Sequence, residues 1–412
     1  MIHEVLQSLS RVFASPARSP RMAVVLGRLL GAAFLVCMVT GLYSHAIQEP
    51  QPWMVFPTRP IQLYQVSQGL HITAGIACFP LLLGKLYAVQ GRLFETPPVR
   101  SFPHFLERAS ITVFVASSIV QLVIGLLNTY QWYQLFPFPF RQTHFALSFV
   151  VIGSLAIHIG VKLPVIARHW SRVPDGSRPD NSSEPPAPST VSVGGVTGRV
   201  LRWIDASPRP VSPGASRRGF LAAIGAATAA LVAFTAGQSF RALDGLNLFG
   251  ARKQGVGPQS LPVNRTAAAA RVEQTALAPD WRLTVSGPAG TRSFSRDELA
   301  AMPQTEVVLP IACVEGWSQS ATWRGVRVRE LAALVGGGPE SSVVFQSLEQ
   351  RSSYARTEMG PEFARDDLSL VALELNGETL DLDHGYPARV IAPARPGVLQ
   401  TKWLSSLEVS ET

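Results

Sequence analysis

Four long apolar runs, at about residues 22–43, 64–86, 110–130 and 144–166, constrain this chain more than any other feature. Each is long enough to cross a hydrocarbon core, which takes roughly 20 residues. A fifth run, about 219–237, is shorter and rich in Ala and Gly, and reads as an anchoring span. Composition agrees with a chain partly in lipid. Its 412 residues are 47% hydrophobic and 16% charged, with a mean hydropathy of +0.19, too apolar and too sparsely charged for one ordinary soluble domain.

The formal charge of +8 is unevenly divided. Residues 1–218 carry 19 Lys and Arg against 8 Asp and Glu, whereas residues 219–412 carry 17 against 20. This asymmetry argues against nucleic-acid binding, because the excess lies in alternate loops between the apolar runs. Arg11, Arg18 and Arg21 precede the first run, Arg92, Arg100 and Arg108 lie between the second and third, and Arg168 to Arg218 follow the fourth. By the positive-inside rule the N-terminus, the 87–109 loop and the 167–218 segment are cytoplasmic.

Residues 171–215 read as a linker, since "PDGSRPDNSSEPPAPSTVSVGG" has few large apolar groups to offset the entropy of ordering it. Within it, "GRVLRWIDA" has the makings of a short interfacial helix on Val200, Leu201, Trp203 and Ile204, or of a plain tether. "SRRGFL", residues 216–221, directly precedes the fifth run and resembles a twin-arginine export signal. That resemblance implies that the twin-arginine machinery carries the remainder across the membrane already folded, with a cofactor inserted in the cytoplasm. The expected organisation is a four-span membrane domain over 1–170, the linker, a motif and fifth span over 216–240, a connecting segment over 241–274, and an extracytoplasmic domain over 275–412.

The last region alternates short apolar runs with helical ones. "WRLTVSG", "TEVVLPIAC", "SVVFQSL", "LVALELNG" and "ARVIAPA" predict strands, and "SRDELAAM" and "RVRELAALVG" predict helices. Ser295 and Glu298 stand at capping-box spacing. The class is α+β, behind an all-α membrane bundle. Cys313 is the one cysteine beyond the apolar runs, because Cys37 and Cys78 lie within them. An intradomain disulfide is impossible there, and a lone cysteine ending an apolar strand is ordinarily a small buried hydrophobe.

"CVEGWS" at 313–318, the Trp323-Arg324-Gly325 that follows and a Leu-rich helix resemble the sulfite-oxidase fold of molybdopterin-dependent oxidoreductases. The branch most similar is the catalytic subunit of periplasmic protein-methionine-sulfoxide reductases. The resemblance implies that the Cys313 thiolate binds molybdenum held by one molybdopterin, a sensible role for a soft ligand. Glu315 would be placed to set a proton beside the metal. The closing stretch "ELNGETLDLDHGYPARVIAPARPGVLQTKWLSSLEV" follows the family pattern. It puts His384 where the family has Asn, Arg389 at the family's Arg, and Gln400, Thr401 and Lys402 at the pterin phosphate. Ser347 and Asn264 fall near two further cofactor contacts. Trp317 and Trp323 read as core more readily than as stacking surfaces.

Histidines within lipid are costly and tend to be functional. His45 ends the first run, His71 lies in the second, and His144 and His158 occupy the fourth, 14 residues apart. This spacing is about 21 Å of helix rise on nearly one face, and it resembles di-haem cytochrome b helices. Lys85 stands 14 residues after His71, so the expectation is one b-type haem, with His71 paired to His158 or His144.

The combined expectation is a multi-pass molybdenum oxidoreductase of the bacterial cytoplasmic membrane. It would act on a small-molecule or protein sulfoxide-like substrate, or another oxo-acceptor, and exchange electrons with membrane quinone. Two alternatives use the same residues: a cofactor-free tethered binding module with an inert Cys313, and a molybdenum enzyme on a haem-free anchor.

Overall fold

A computed structural model of the chain describes residues 19–90, 99, 101–170, 199 and 217–410. The expected linker, its "GRVLRWIDA" segment and Ser216 of the arginine motif fall outside the described residues, apart from Arg199. All five apolar runs are helices: α1 Pro20–Gln48, α2 Leu63–Val89, α3 Phe102–Thr129, α4 Phe140–Arg168 and α5 Arg217–Ala236. Each is long and apolar enough to cross a membrane. The 29 residues of α1 extend about 44 Å, beyond the roughly 30 Å of a hydrocarbon core.

The chain divides into two compact units. The first comprises Met1–Met38, Ala74–Leu126 and Tyr133–Val232. Its helices share an apolar seam that includes Leu26, Leu30, Phe34, Cys78, Leu82, Phe114 and Val151. Phe34 meets Phe114 edge to face, with ring centroids 6.1 Å apart. Leu35, Leu83, Val113 and Ile157 point away from the seam and are largely exposed, as side chains solvated by lipid would be. Lys85 donates to the Ala23 carbonyl at 3.1 Å. A Cβ on Gly27 would lie 2.5 Å from its ammonium, so this glycine makes room for the charge.

The second unit comprises Val39–Thr73, Leu127–Trp132 and Ala233–Thr412. Its strands are β1 Arg282–Gly287, β2 Gly290–Ser295, β3 Thr305–Ala312, β4 Ser318–Arg327, β5 Ser342–Ser347, β6 Arg356–Met359, β7 Leu370–Leu375, β8 Glu378–Thr379, β9 Arg389–Ile391 and β10 Leu404–Ser410. One sheet runs β2-β1-β10-β5-β6, and the other runs β3-β4-β7-β8 with β9 also on β7. Only β1 and β10 pair in parallel among these ladders. The predicted capping box is present: Ser295 accepts from the Glu298 amide and Glu298 accepts from the Ser295 amide, starting helix α6 Arg296–Ala301.

Two apolar clusters hold the sheets. Leu283, Val285, Leu299, Phe345, Met359, Val371, Val390 and Leu407 belong to one, and Leu261, Leu309, Trp323, Leu375 and Ile391 to the other. Ile47 and Tyr64, from α1 and α2, are part of the first cluster. The α1–α2 connection is tied to the same unit by Arg59, whose guanidinium grips Asp366 at 2.8 and 3.1 Å, and by Gln48, which accepts from the Tyr354 hydroxyl at 2.8 Å.

Candidate active site

The β3–β4 hairpin pairs from Thr305 with Gly325 up to Ala312 with Ser318, leaving residues 313–317 as its tip. Cys313 therefore stands where a buried strand ends. Its amide donates to the Trp317 carbonyl at 2.9 Å, and the Gly316 amide donates back to the Cys313 carbonyl at 3.0 Å. Gly316 has φ +101, and a Cβ there would lie 2.6 Å from Cγ1 of Ile72. Both facts require glycine at this turn.

Cys313 is 1% exposed. Burial pushes its thiol well above the ordinary value, and the nearby Glu315 carboxylate adds to that, against the pull of Arg252 and Lys402. The thiol is thus neutral unless a metal cation replaces its proton.

Cys313 opens on a cleft of about 600 Å³, counting the part open to solvent. Asn264, Ser347, Arg389, Gln400, Thr401 and Lys402 line it too, so with Cys313 seven of the nine residues expected at the molybdopterin site meet there, and Trp317 joins them. Arg389 begins β9 and is 2% exposed. Its guanidinium donates to the carbonyls of His384 at 3.0 Å and Gln400 at 3.4 Å, and lies 4.9 Å from the Trp323 ring centroid. Among the described residues no carboxylate is paired with it. Burial lowers it to about 9.

Lys402 donates to the carbonyls of Arg265 at 2.5 Å and Asp383 at 2.9 Å, and to Oδ1 of Asn264 at 3.4 Å. Burial, helped by Arg389, lowers its ammonium to about 7. The buried Oε1 of Gln400 has no hydrogen-bond partner among the described residues. The Arg389 guanidinium, satisfied by carbonyls and not by carboxylates, leaves the cleft positive, and Lys402 adds its charge when protonated. This donor set fits an anionic group such as a pterin phosphate, and the buried thiol fits a soft metal.

The hydroxyls behave differently. Ser347 donates to the Lys402 carbonyl at 2.8 Å, and Thr401 shares a 2.7 Å hydrogen bond with Thr357, so both are already engaged within the protein.

His384 and Glu315 do not line the cleft. The His384 ring is hydrogen-bonded to the Pro258 carbonyl at 2.8 Å, which puts its proton on Nε2, and burial with Arg389 nearby lowers it to about 4. The histidine side chain turns to Pro258, while its backbone carbonyl holds Arg389. Glu315 is buried, and its carboxylate accepts from the Gln131 side chain. Burial raises it, while Arg252 and Gln131 pull it down. Trp323 is core, as expected, whereas Trp317 is buried and also lines the cleft.

Arg265, Glu349, Ser352 and Tyr354 line the cleft as well and were not anticipated. Arg265 pairs with Glu349 at 2.5 Å. The adjacency of Arg265 to Asn264 is the one signal in the sequence that pointed toward them.

In the helices, Nδ1 of His71 lies 3.1 Å from the Thr40 hydroxyl, and His158 stacks on Phe114 at 5.6 Å between ring centroids. A Cβ on Gly41 would come within 3.1 Å of the His71 ring, and one on Gly125 within 3.2 Å of the His144 ring.

Residues 269–412 match the family described as oxidoreductase molybdopterin binding domain. The chain is 30% identical over 137 residues to a protein of Azospira oryzae named as a protein-methionine-sulfoxide reductase subunit, YedZ1, covering 33% of this chain and 51% of that one. It is 30% identical over 164 residues to the mitochondrial sulfite oxidase of Rattus norvegicus, covering 32% of this chain and 30% of that one. The chain thus spans about half the length of the first relative and less than a third of the second. Among solved structures, the sulfane dehydrogenase SoxCD from Paracoccus pantotrophus is 25% identical over 32% of this chain and 39% of that one, with a TM-score of 0.30. By the family match, residues 269–412 are a molybdopterin-binding oxidoreductase domain.

Proposed function

We propose that this chain is a membrane-anchored molybdenum oxidoreductase that acts on a sulfoxide-like or other oxo-acceptor substrate outside the cytoplasm. The observation that carries the reading is the single cleft joining Cys313 to Arg389 and Lys402, two cations without carboxylate hydrogen-bond partners. Cys313 would ligate the molybdenum, Arg389 and Lys402 would hold the anionic end of the pterin, and Asn264 and Gln400 would fix its polar edge. When bound, the centre supplies two-electron oxygen-atom transfer.

The residues of the chain do the rest. Trp317 shields the thiol from water. Arg389, held by the His384 and Gln400 carbonyls, presents its charge without side-chain rearrangement. Glu315, held by Gln131, would place its carboxyl group close to the ligand loop.

Electrons would be exchanged with membrane quinone through a b-type haem on the helices, with His71 and either His158 or His144 as ligands. Gly41 and Gly125, packed against two of these imidazoles, support that reading, and Lys85 stands where a second His pair would need a ligand. Residues 1–170 would form this module, 171–215 a cytoplasmic linker, and 216–240 the twin-arginine motif and fifth span. The 241–274 segment would lead to the catalytic domain beyond the membrane.

The test is metal analysis of the full chain purified from cells that make the cofactor, with Cys313→Ser alongside. The expected result is near one molybdenum per chain with turnover of a sulfoxide, and loss of turnover in the variant. Less than a tenth of a molybdenum per chain favours the cofactor-free binding module. A reduced-minus-oxidised spectrum without b-type bands removes the haem and leaves a simple anchor.

A further inference from the structure

The tip of the β3–β4 hairpin, whose Cys313, Val314 and Trp317 pack in one apolar cluster with Leu309 and Trp323, is also held by polar residues that lie outside the 269–412 domain. Gln68 of α2, only 6% exposed, donates its amide to the Val314 carbonyl at 2.8 Å. Gln131, just after α3, donates to the Glu315 carboxylate and to the Asn264 carbonyl at 3.0 Å, and accepts from Arg252 at 3.1 Å. Ser239, just after α5, donates to the Gly316 carbonyl, and the Gln238 carbonyl accepts from the Ser318 amide at 2.8 Å. Ile72 fills the space beside Gly316. Gln131 takes this place with φ +59, a backbone conformation uncommon for a residue with a side chain.

Within the turn itself the backbone–backbone hydrogen bonds are two, Cys313 to Trp317 and Gly316 to Cys313, and the Glu315 amide also reaches the Cys313 thiol. A five-residue hairpin loop with two backbone hydrogen bonds of its own gains further order from external contacts. Here α2 and the turn after α3 provide those contacts at the two residues that follow the cysteine.

We propose that Gln68 and Gln131 are positioning residues for Cys313, holding Val314 and Glu315 so that the thiol is presented to its metal in one orientation. The proposal rests on the reading of Cys313 as a ligand. It adds that the ligand loop of this chain is completed by its membrane-helix segments and not by the molybdopterin-binding domain alone. This gives a physical reason for the two to share one polypeptide.

The first test uses the full chain made in cells that lack the cofactor, so that Cys313 is a bare thiol. Its alkylation by iodoacetamide is followed by peptide mass mapping, which separates it from Cys37 and Cys78. In the Gln68→Leu, Gln131→Leu double variant the rate should rise at least tenfold, and in each single variant about threefold. Arg59→Ala, which breaks the Asp366 contact elsewhere in the same unit, should stay within twofold of the parent. Rates within twofold of the parent in both single variants overturn the proposal, and those variants decide if the double variant fails to fold.

The second readout is the electron paramagnetic resonance signal of molybdenum(V) in the loaded Gln131→Leu enzyme. Its g-values should shift at unchanged metal content. An unshifted signal means that Gln131 only stabilises the fold. Should Cys313→Ser keep the parental signal, the ligand reading fails, whatever the alkylation rates show.

Discussion

At the residue scale, the site turns on buried charges with unusual partners. Arg389 holds a full guanidinium among carbonyls, and a hydrogen bond to a charged group contributes about 1.5–3 kcal/mol. Arg389→Leu should therefore weaken cofactor retention roughly tenfold or more, measured as pterin released on dialysis, while Ser347→Ala, whose hydroxyl is engaged within the protein, should change retention little.

His384 gives a pH prediction. Its folded value of about 4 lies below the 6.5 of a free imidazole, so folding favours the neutral ring. The stability it contributes is complete above pH 6.5 and is lost as pH falls toward 4, on the order of 3 kcal/mol in all. His384→Gln should flatten the acid limb of a thermal-melting profile in that window. A profile as steep as the parent's would contradict the assignment.

Residue identity was the most legible level of the site. Cys313, Arg389 and Lys402 carry motif and charge in the sequence, and all three reach one cleft. Asn264, Ser347, Gln400 and Thr401 reach it too. His384 and Glu315 were placed by alignment of pattern alone, and pattern does not say where a side chain turns. The ring of the first finds the Pro258 carbonyl and the carboxylate of the second finds Gln131, both far away in sequence.

At the element scale, five strands and two helices were readable from periodicity, but β4 was not. "SQSATWRGVR" mixes polar and apolar residues because β4, bonded along both edges to β3 and β7, buries Ala321, Trp323 and Val326 while Ser320 and Arg324 are exposed, and its motif value masked its strand character. β2 is mostly exposed and β8 has two residues, too little burial or length to leave an alternation.

The hairpin tip is where element geometry meets chemistry. Gly316→Ala would force a side chain into φ +101 and against Ile72, at a cost of about 1–3 kcal/mol. A lowered melting temperature, together with faster Cys313 alkylation, is the expected outcome. Ser295→Ala, which removes the capping box of α6 on the exposed side of the domain, should cost about 1 kcal/mol and leave cofactor binding intact.

At the scale of the whole molecule, hydropathy announced five spanning helices, and among the described residues five helices are long and apolar enough to cross a membrane. What it could not announce is that α1 and α2 continue past Met38 and before Ala74 into the compact unit that carries the cleft. Ile47 and Tyr64 look like ordinary ends of membrane spans in the sequence, yet they belong to the same apolar cluster as Phe345 and Val390. The proposed haem belongs to this scale also. A pyridine haemochrome assay should give one haem b per chain, and His71→Ala should abolish it; retention of the full signal would remove His71 as a ligand. Lysine at both Arg217 and Arg218 should leave the catalytic domain protected from external protease in intact spheroplasts.

The central claim is a bond between the sulfur of Cys313 and molybdenum. X-ray absorption at the molybdenum edge of the full chain measures it directly. The expected result is one more metal–sulfur contact in the parent protein than in Cys313→Ser at equal metal content; an identical sulfur shell in the two proteins would contradict it.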